Sequence, residues 1–192
     1  MDLRGKKIIL ASASPRRKEL LDSLDIDFTI DTQTNFKESY NSIKPLERIP
    51  SMMSEGKSYG FHRPLDADEI LITSDTMVYV DGKTLGKPTD RADAISMLRF
   101  LSGKEHQVIT AVTIRDNKRS ETFSDTSSVF FKELSDEEIS YYIDTYKPFD
   151  KAGAYGIQEW IGYVGITRIE GSFYTIMGLP THLVYQELLK FI

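Results

Sequence analysis

The chain contains no cysteine. That excludes disulfides, a thiolate nucleophile and cysteine-ligated zinc, and it is compatible with a reducing compartment. Histidine is almost as scarce: His62, His106 and His182 stand far apart and show no paired metal-ligand spacing, so each is expected to be structural or exposed. No stretch approaches the length and apolarity of a membrane span, and the run Ile8, Ile9, Leu10, Ala11 is too short for the apolar region of a secretion signal. A cytoplasmic location is the inference. Also missing are a glycine-rich phosphate loop ending in Gly-Lys-Ser/Thr, a Gly-x-Gly-x-x-Gly turn and a Gly-x-Ser-x-Gly elbow. Positive charge is in deficit, with 24 Lys plus Arg against 29 Asp plus Glu and a net charge of −5. Such a balance argues against stable binding to nucleic acid or to an anionic membrane surface, yet leaves room for a small anion where basic residues converge. Any chemistry must come from oxygen and nitrogen groups.

What is present describes an ordinary globular chain. At 192 residues, 40% hydrophobic and 28% charged, with 12 Gly and 7 Pro scattered, one domain spanning 1–192 is expected. The sequence predicts a strand at 7–11, a tight loop and a helix at 15–24, then a strand at 27–30 and a polar, aperiodic, mobile loop over 31–46. A helix interrupted by Gly56 is expected over 50–61. Residues 70–73 read as a buried strand ending at Ser74 and Asp75, with 77–80 continuing extended to an Asp81-Gly82 turn and 83–85 returning. Thr89 or Asp90 caps a helix that ends before Gly103. Residues 107–115 and 121–131 alternate as a long hairpin. Ser135 and Glu138 form a capping box for a helix over 136–145. Residues 163–169 and 173–177 read as strands and 181–191 as an amphipathic helix. The mixture predicts a mixed α/β fold.

Four segments could carry chemistry. In Ser12-Ala13-Ser14-Pro15-Arg16-Arg17, Ser14 is a favourable cap and Pro15 suits the first helical position, which puts Arg16 and Arg17 in the first turn. Exposed cations there are unfavourable by about 0.3–1 kcal/mol each, and a bound polyphosphate would reverse the sign. Two solvated arginines tolerated at a helix start would look the same in sequence. Ser74-Asp75-Thr76 places a carboxylate near a strand end, where a general base or metal ligand is useful, although a surface Asp ending a strand is common. Gly86-Lys87-Pro88 offers close backbone approach and a point charge, or is simply a turn. The run 150–158, Asp-Lys-Ala-Gly-Ala-Tyr-Gly-Ile-Gln, is too polar for core and too lightly charged for an ordinary solvated loop. It reads as a binding loop in which Gln158 could pair with a base edge. Tyr141, Tyr142, Tyr146 and Trp160 are expected to serve packing.

Taken in order, these segments resemble the Maf family of nucleotide pyrophosphatases. Residues 11–21, from Ala-Ser-Ala-Ser-Pro-Arg-Arg to Leu-Leu, are similar to its opening motif. Ser74 to Val78 resembles its central Asp-Thr motif and Leu85 to Pro88 its lysine loop. Met97 to Gly103 with His106, Val108 and Thr110, then 150–158 and 171–180, complete the ordered set. The resemblance implies a fold similar to that of inosine triphosphate pyrophosphatases: an α/β protein with an elongated mixed sheet flanked by helices and two lobes around a central cleft. It implies hydrolysis of a nucleoside triphosphate between its alpha and beta phosphates, with Asp75 as the base that activates water. The residues match the branch acting on dTTP and UTP, in which Arg16, Thr76 and Gln158 help select the substrate. Ser14, Arg17, Glu38, Lys57 and Lys87 are implied around the phosphates and metal, with Glu38 and Asp75 as ligands of Mg²⁺ or Mn²⁺. Two departures stand out. Phe36-Lys37 replaces the acidic pair often found before Glu38, and Gly56-Lys57 replaces a Glu-Lys pair.

Catalysis on this reading rests on positioning and electrostatics, with no covalent intermediate. Removal of modified pyrimidine triphosphates is the implied purpose. The alternative is a nucleotide-sensing regulator, linked through the family name to septum formation, that binds without turnover. Homodimer formation is an expectation by analogy.

Overall fold

The structure, a computed structural model, describes residues 3–39 and 45–192. Part of the expected loop at 31–46 therefore lies outside the described residues. Hydrogen-bonded neighbours form a seven-stranded mixed sheet of β1 (Lys7–Leu10), β2 (Phe28–Ile30), β3 (Glu69–Val80), β4 (Lys83–Leu85), β5 (Glu105–Arg115), β6 (Ser120–Phe131) and β7 (Ile166–Glu170), in the order β2-β1-β3-β5-β6-β7, with β4 paired to β3. Two compact units divide the chain: residues up to Asp75 with Thr110–Asp125 and Gly178–Ile192, and Thr76–Ile109 with Thr126–Met177.

In the first unit, the apolar run at the start of the chain becomes β1 (Lys7–Leu10). It is flanked by β2 (Phe28–Ile30) and β3 (Glu69–Val80), both parallel to it. Residues 69–74 of β3 are all buried, as expected for a parallel strand covered on both faces. The buried Glu69 is neutralised by Arg63, whose two terminal nitrogens donate to its carboxylate at 2.7 and 2.9 Å. Ile9, Phe61, Leu65 and Leu71 form one core cluster of this unit. Helix α1 (Pro15–Asp22) buries Leu20 and Leu21, and α2 (Ile49–Tyr59) buries Ile49 and Met53. A buried hydroxyl seam fixes α2. Ser54 Oγ lies 3.0 Å from Thr113 Oγ1, and Thr73 Oγ1 donates to the Ser54 carbonyl at 2.8 Å. Helix α7 (Thr181–Leu188) belongs to the same unit.

The second unit holds β4 (Lys83–Leu85), which returns antiparallel along Val78–Val80 after the Asp81-Gly82 turn. Helix α3 (Arg91–Leu101) is capped by Asp90, whose side chain accepts from the Asp93 backbone. The expected hairpin is present as β5 (Glu105–Arg115) and β6 (Ser120–Phe131), and its tip lies in the first unit. At that tip Asp116 Oδ1 accepts from the backbone of Lys118 and Arg119 at 2.8 Å each. Helix α4 (Asp136–Tyr146) carries the full Ser135–Glu138 capping box.

Three expectations need correction. First, β3 does not end at Ser74 and Asp75. It is one strand through Val80, and what changes is its partner: β1 stops opposite Ile72, while Val78 onward pairs with β4. Second, residues 160–165 are helical, α5 (Trp160–Gly165), so only 166–169 of the expected 163–169 strand is extended, within β7 (Ile166–Glu170). Third, Phe173–Met177 is a short helix, α6. Its aromatic and β-branched residues favour a strand locally, but Gly171 and Gly178 on either side take φ of +112° and +109°. Among the described residues this segment is not part of the sheet.

Candidate functional site

Beyond Ile72, β3 no longer pairs with β1, and Asp75 follows three residues on. In the first unit Asp75 receives the Lys57 ammonium at 2.6 Å, and the same ammonium lies 2.9 Å from Glu38 Oε1. Lys57 comes from the last turn of α2 and Glu38 from the loop after β2. Asp75 is only 14% exposed at its side chain, Lys57 20% and Glu38 50%. Burial pushes the Asp75 carboxyl up, the Lys57 and Arg17 cations pull it back, and Glu38 adds to the upward push.

The start of α1 closes on the same strand. Ser14 caps the helix by accepting from Arg17 N at 3.5 Å, and Ser14 N donates to Ser12 Oγ at 3.3 Å. Arg17 reaches away from the helix axis. Its Nε donates to the Gly178 carbonyl at 2.9 Å and its Nη1 to the Ser74 carbonyl at 3.0 Å. The cost of a cation in a first turn that holds no acidic residue is thus offset within the chain, by carbonyls and by the charge of Asp75. Burial lowers the Arg17 pKa and Asp75 raises it again, with Arg16 lowering and Glu38 raising it further. Arg16 is half-buried in the same turn.

Glu38 and Asp75 suit a hard divalent cation. Two carboxylates on one side of a site, with substrate phosphates and water completing the shell, is the manner in which Mg²⁺ is commonly bound. Among the described residues no group of three or more His, Cys, Asp or Glu side chains is gathered for a metal. A cation held here would depend on oxygens from the substrate.

In the second unit the remaining motif residues lie on a separate framework. Thr76 follows Asp75 on β3, and Lys87 is exposed just after β4. Gly153 N donates to the Gly86 carbonyl at 3.0 Å, joining the lysine turn to the loop at 150–158. Gly153 has φ +69°, and a side chain there would meet Val78 Cγ2 at 2.9 Å. The loop is closed by an ion pair that sequence reading missed. Lys151, nearly buried, contacts Asp150 at 2.8 Å and Glu159 at 3.1 Å. A Cβ on Gly156 would lie 2.9 Å from Glu159 Cδ and 3.0 Å from Lys151 Cε, so glycine fits where the pair closes. From α4, the Tyr142 hydroxyl accepts from Gly156 N at 2.9 Å and donates to Glu159. The opposite charges bracketing a run of small residues were the signal available for this closure. Gln158 is half-buried in this loop, and its Oε1 is buried without a hydrogen-bond partner among the described residues. An unpaired buried carbonyl oxygen is costly and calls for a donor.

The three histidines behave as expected. His62 lies 2.9 Å from Asp31, His182 is exposed, and the buried His106 lies 2.7 Å from the Tyr155 hydroxyl.

Fold and site together define a mixed α/β protein with a carboxylate–ammonium cluster on its third strand and a closed small-residue loop presenting a glutamine. The chain belongs to the Maf family, the Maf-like proteins, whose pattern it matches over residues 7–191. It is 50% identical to a dTTP/UTP pyrophosphatase of Porphyromonas gingivalis over 192 residues, 99% of this chain and 96% of the relative. It is likewise 50% identical to one of Bacteroides thetaiotaomicron, over 96% of this chain and 95% of that protein. With one of Parabacteroides distasonis the identity is 49%, covering 99% and 98%. A solved HAM1 protein from Coxiella burnetii aligns at 12% identity with a TM-score of 0.40, over 66% of this chain and 73% of that one. No helix among the described residues is long and apolar enough to cross a membrane.

Proposed function

We propose that this chain hydrolyses dTTP and UTP, and modified pyrimidine analogues, to the nucleoside monophosphate and pyrophosphate. The shared name of its full-length relatives supports the reaction. Within the molecule, the Asp75–Lys57–Glu38 cluster carries the reading. Asp75 accepts a proton from water, whose oxygen bonds to the alpha phosphorus. The bond from that phosphorus to the bridging oxygen breaks, and pyrophosphate leaves. A carboxyl held up by burial is a better base near neutral pH than a solvated one. Lys57 keeps Asp75 oriented and, with Arg16, Arg17 and Lys87, neutralises phosphate charge, while Ser14 offers a hydroxyl to the same anion. Mg²⁺ or Mn²⁺, held by Glu38 and Asp75, would supply further charge neutralisation at the phosphates.

Thr76 and Gln158 are assigned to the base. Thymine and uracil present an N3–H donor where cytosine presents an acceptor, and the unpartnered Gln158 Oε1 suits that donor. We further propose that residues 1–192 act as one catalytic domain, working in the cytoplasm on the triphosphates that supply nucleic-acid synthesis. By family analogy it is a homodimer, which sedimentation would test.

The decisive experiment is pyrophosphate release with Mg²⁺ or Mn²⁺ across dTTP, UTP, CTP, dATP, GTP and 7-methyl-GTP, with each nucleotide product identified. Monophosphate and pyrophosphate arising selectively from dTTP and UTP are expected. Tight nucleotide binding without release from any of them would instead make the chain a sensor.

A further inference from the structure

Glu38 sits on a largely exposed loop. From residue 32 to 39 every residue is exposed except Phe36. An ion pair to a half-exposed carboxylate is too weak to order such a loop, because solvent screens it and two side chains must be immobilised. Other contacts must place the carboxylate.

They converge on two glycines of α2 and its cap. Gly56 and Gly60, four residues apart, share one helix face. A Cβ on Gly56 would lie 2.4 Å from Phe36 Cε2 and Cζ, and one on Gly60 would lie 2.6 Å from Phe36 Cβ and 2.9 Å from its backbone N. The phenyl ring thus fills a notch that any other residue at 56 or 60 would close. Hydrogen bonds fasten the same stretch: Asn35 N donates to the Gly60 carbonyl at 2.7 Å, Thr34 Oγ1 to the same carbonyl at 3.0 Å, and Phe36 N to Thr34 Oγ1 at 3.1 Å. Lys57 follows Gly56 directly and Glu38 comes two residues after Phe36, so one seated ring sets both ends of the 2.9 Å contact. The two local departures from the family pattern, Phe36 and Gly56, are one packing unit.

We propose that Phe36 is a positioning residue: seated in the Gly56–Gly60 notch, it fixes the reach of Glu38 to Lys57 and so presents that carboxylate to a divalent cation. The inference rests on the reading of Glu38 as a cation ligand in the hydrolytic site.

The test measures Mn²⁺ affinity by water-proton relaxation, with the full chain and a non-hydrolysable α,β-methylene analogue of dTTP, beside pyrophosphate release and urea unfolding. Phe36→Ala should weaken Mn²⁺ binding by about tenfold, in the range that supporting residues around a metal site command. Phe36→Leu should restore most of it. Gly56→Ala should weaken binding in the natural background and have little effect in Phe36→Leu, because leucine lacks the two ring atoms that lie 2.4 Å from the new methyl. In a Glu38→Gln background Phe36→Ala should cost nothing further. Unchanged Mn²⁺ affinity in Phe36→Ala or in Glu38→Gln overturns the proposal, as does a full Phe36→Ala effect persisting without Glu38. If the wild-type chain releases no pyrophosphate from dTTP or UTP, the hydrolytic reading fails, and the affinity series still decides the role of Phe36.

Discussion

The Lys57 ammonium stands 2.6 Å from Asp75 Oδ1, on a carboxylate that is almost out of water. In its proposed role as base, Asp75 has its orientation fixed by a cation but must share that partner with whatever anion enters. Lys57 is therefore both a clamp on Asp75 and a candidate phosphate ligand, and the two roles respond differently to substitution.

Asp75→Asn keeps the size and hydrogen-bonding of the side chain while removing its ability to take a proton. Turnover of dTTP should fall by about 10²–10⁴-fold, the range of a positioned general base, while nucleotide affinity changes little. A variant that retains most of its pyrophosphate release would remove Asp75 from the chemistry.

Lys57→Met leaves Asp75 buried without its nearest counter-charge, and should cost on the order of 1–3 kcal/mol of folding stability in addition to turnover. Combining it with Asp75→Asn should return part of that loss, since no buried carboxylate then lacks its cation. Urea unfolding of the four proteins gives the coupling directly, and strictly additive effects would show that the pair does not interact.

Gln158→Ala removes the acceptor proposed for the pyrimidine N3–H. The kcat/KM for dTTP and UTP should drop about tenfold to hundredfold, as expected for a lost buried hydrogen bond, with that for CTP nearly unchanged. If the ratio of dTTP to CTP stays where it was, the base is read by other residues.

His106 gives the fold a dependence on acid. Burial lowers its pKa from 6.5 to about 4, so it stays neutral in the folded chain while the unfolded chain still takes up a proton. The unfolded state binds more protons between those values, and stability should fall as pH drops from about 6.5 towards 4, by roughly 3 kcal/mol over the whole window. Above pH 6.5 this contribution is fully present. His106→Asn should flatten that part of the stability curve, measured by urea unfolding at several pH values, and a curve as steep as that of the natural protein would assign the acid sensitivity elsewhere.

Much of the fold was legible because its elements are punctuated locally. The Asp90 cap, the Ser135–Glu138 box and the Asp81-Gly82 turn each satisfy backbone groups within a few residues, so the signal lies in adjacent letters. The failures were non-local. Phe173–Met177 has the residues of a strand but forms a helix, and β3 changes neighbour at Ile72 without changing direction, which no run of letters records. At the site, the motif residues of the first unit could be named, and Glu38, Lys57 and Asp75 do meet. The support around them could not be read. That Arg17 spends donors on the Ser74 and Gly178 carbonyls, or that Tyr142 bridges Gly156 and Glu159, depends on contacts between distant segments.

The closure of the loop at 150–158 bears on how its substrate preference can change over time. Lys151, Glu159, Gly156 and Tyr142 fix the backbone among themselves, and Gln158 takes no part in that closure. On the proposed reading, a substitution at Gln158 alters the contact to the base and leaves those framing contacts in place. The base preference proposed for Gln158 is thus open to single substitutions there, whereas a change at any of the four framing residues removes a contact that closes the loop itself.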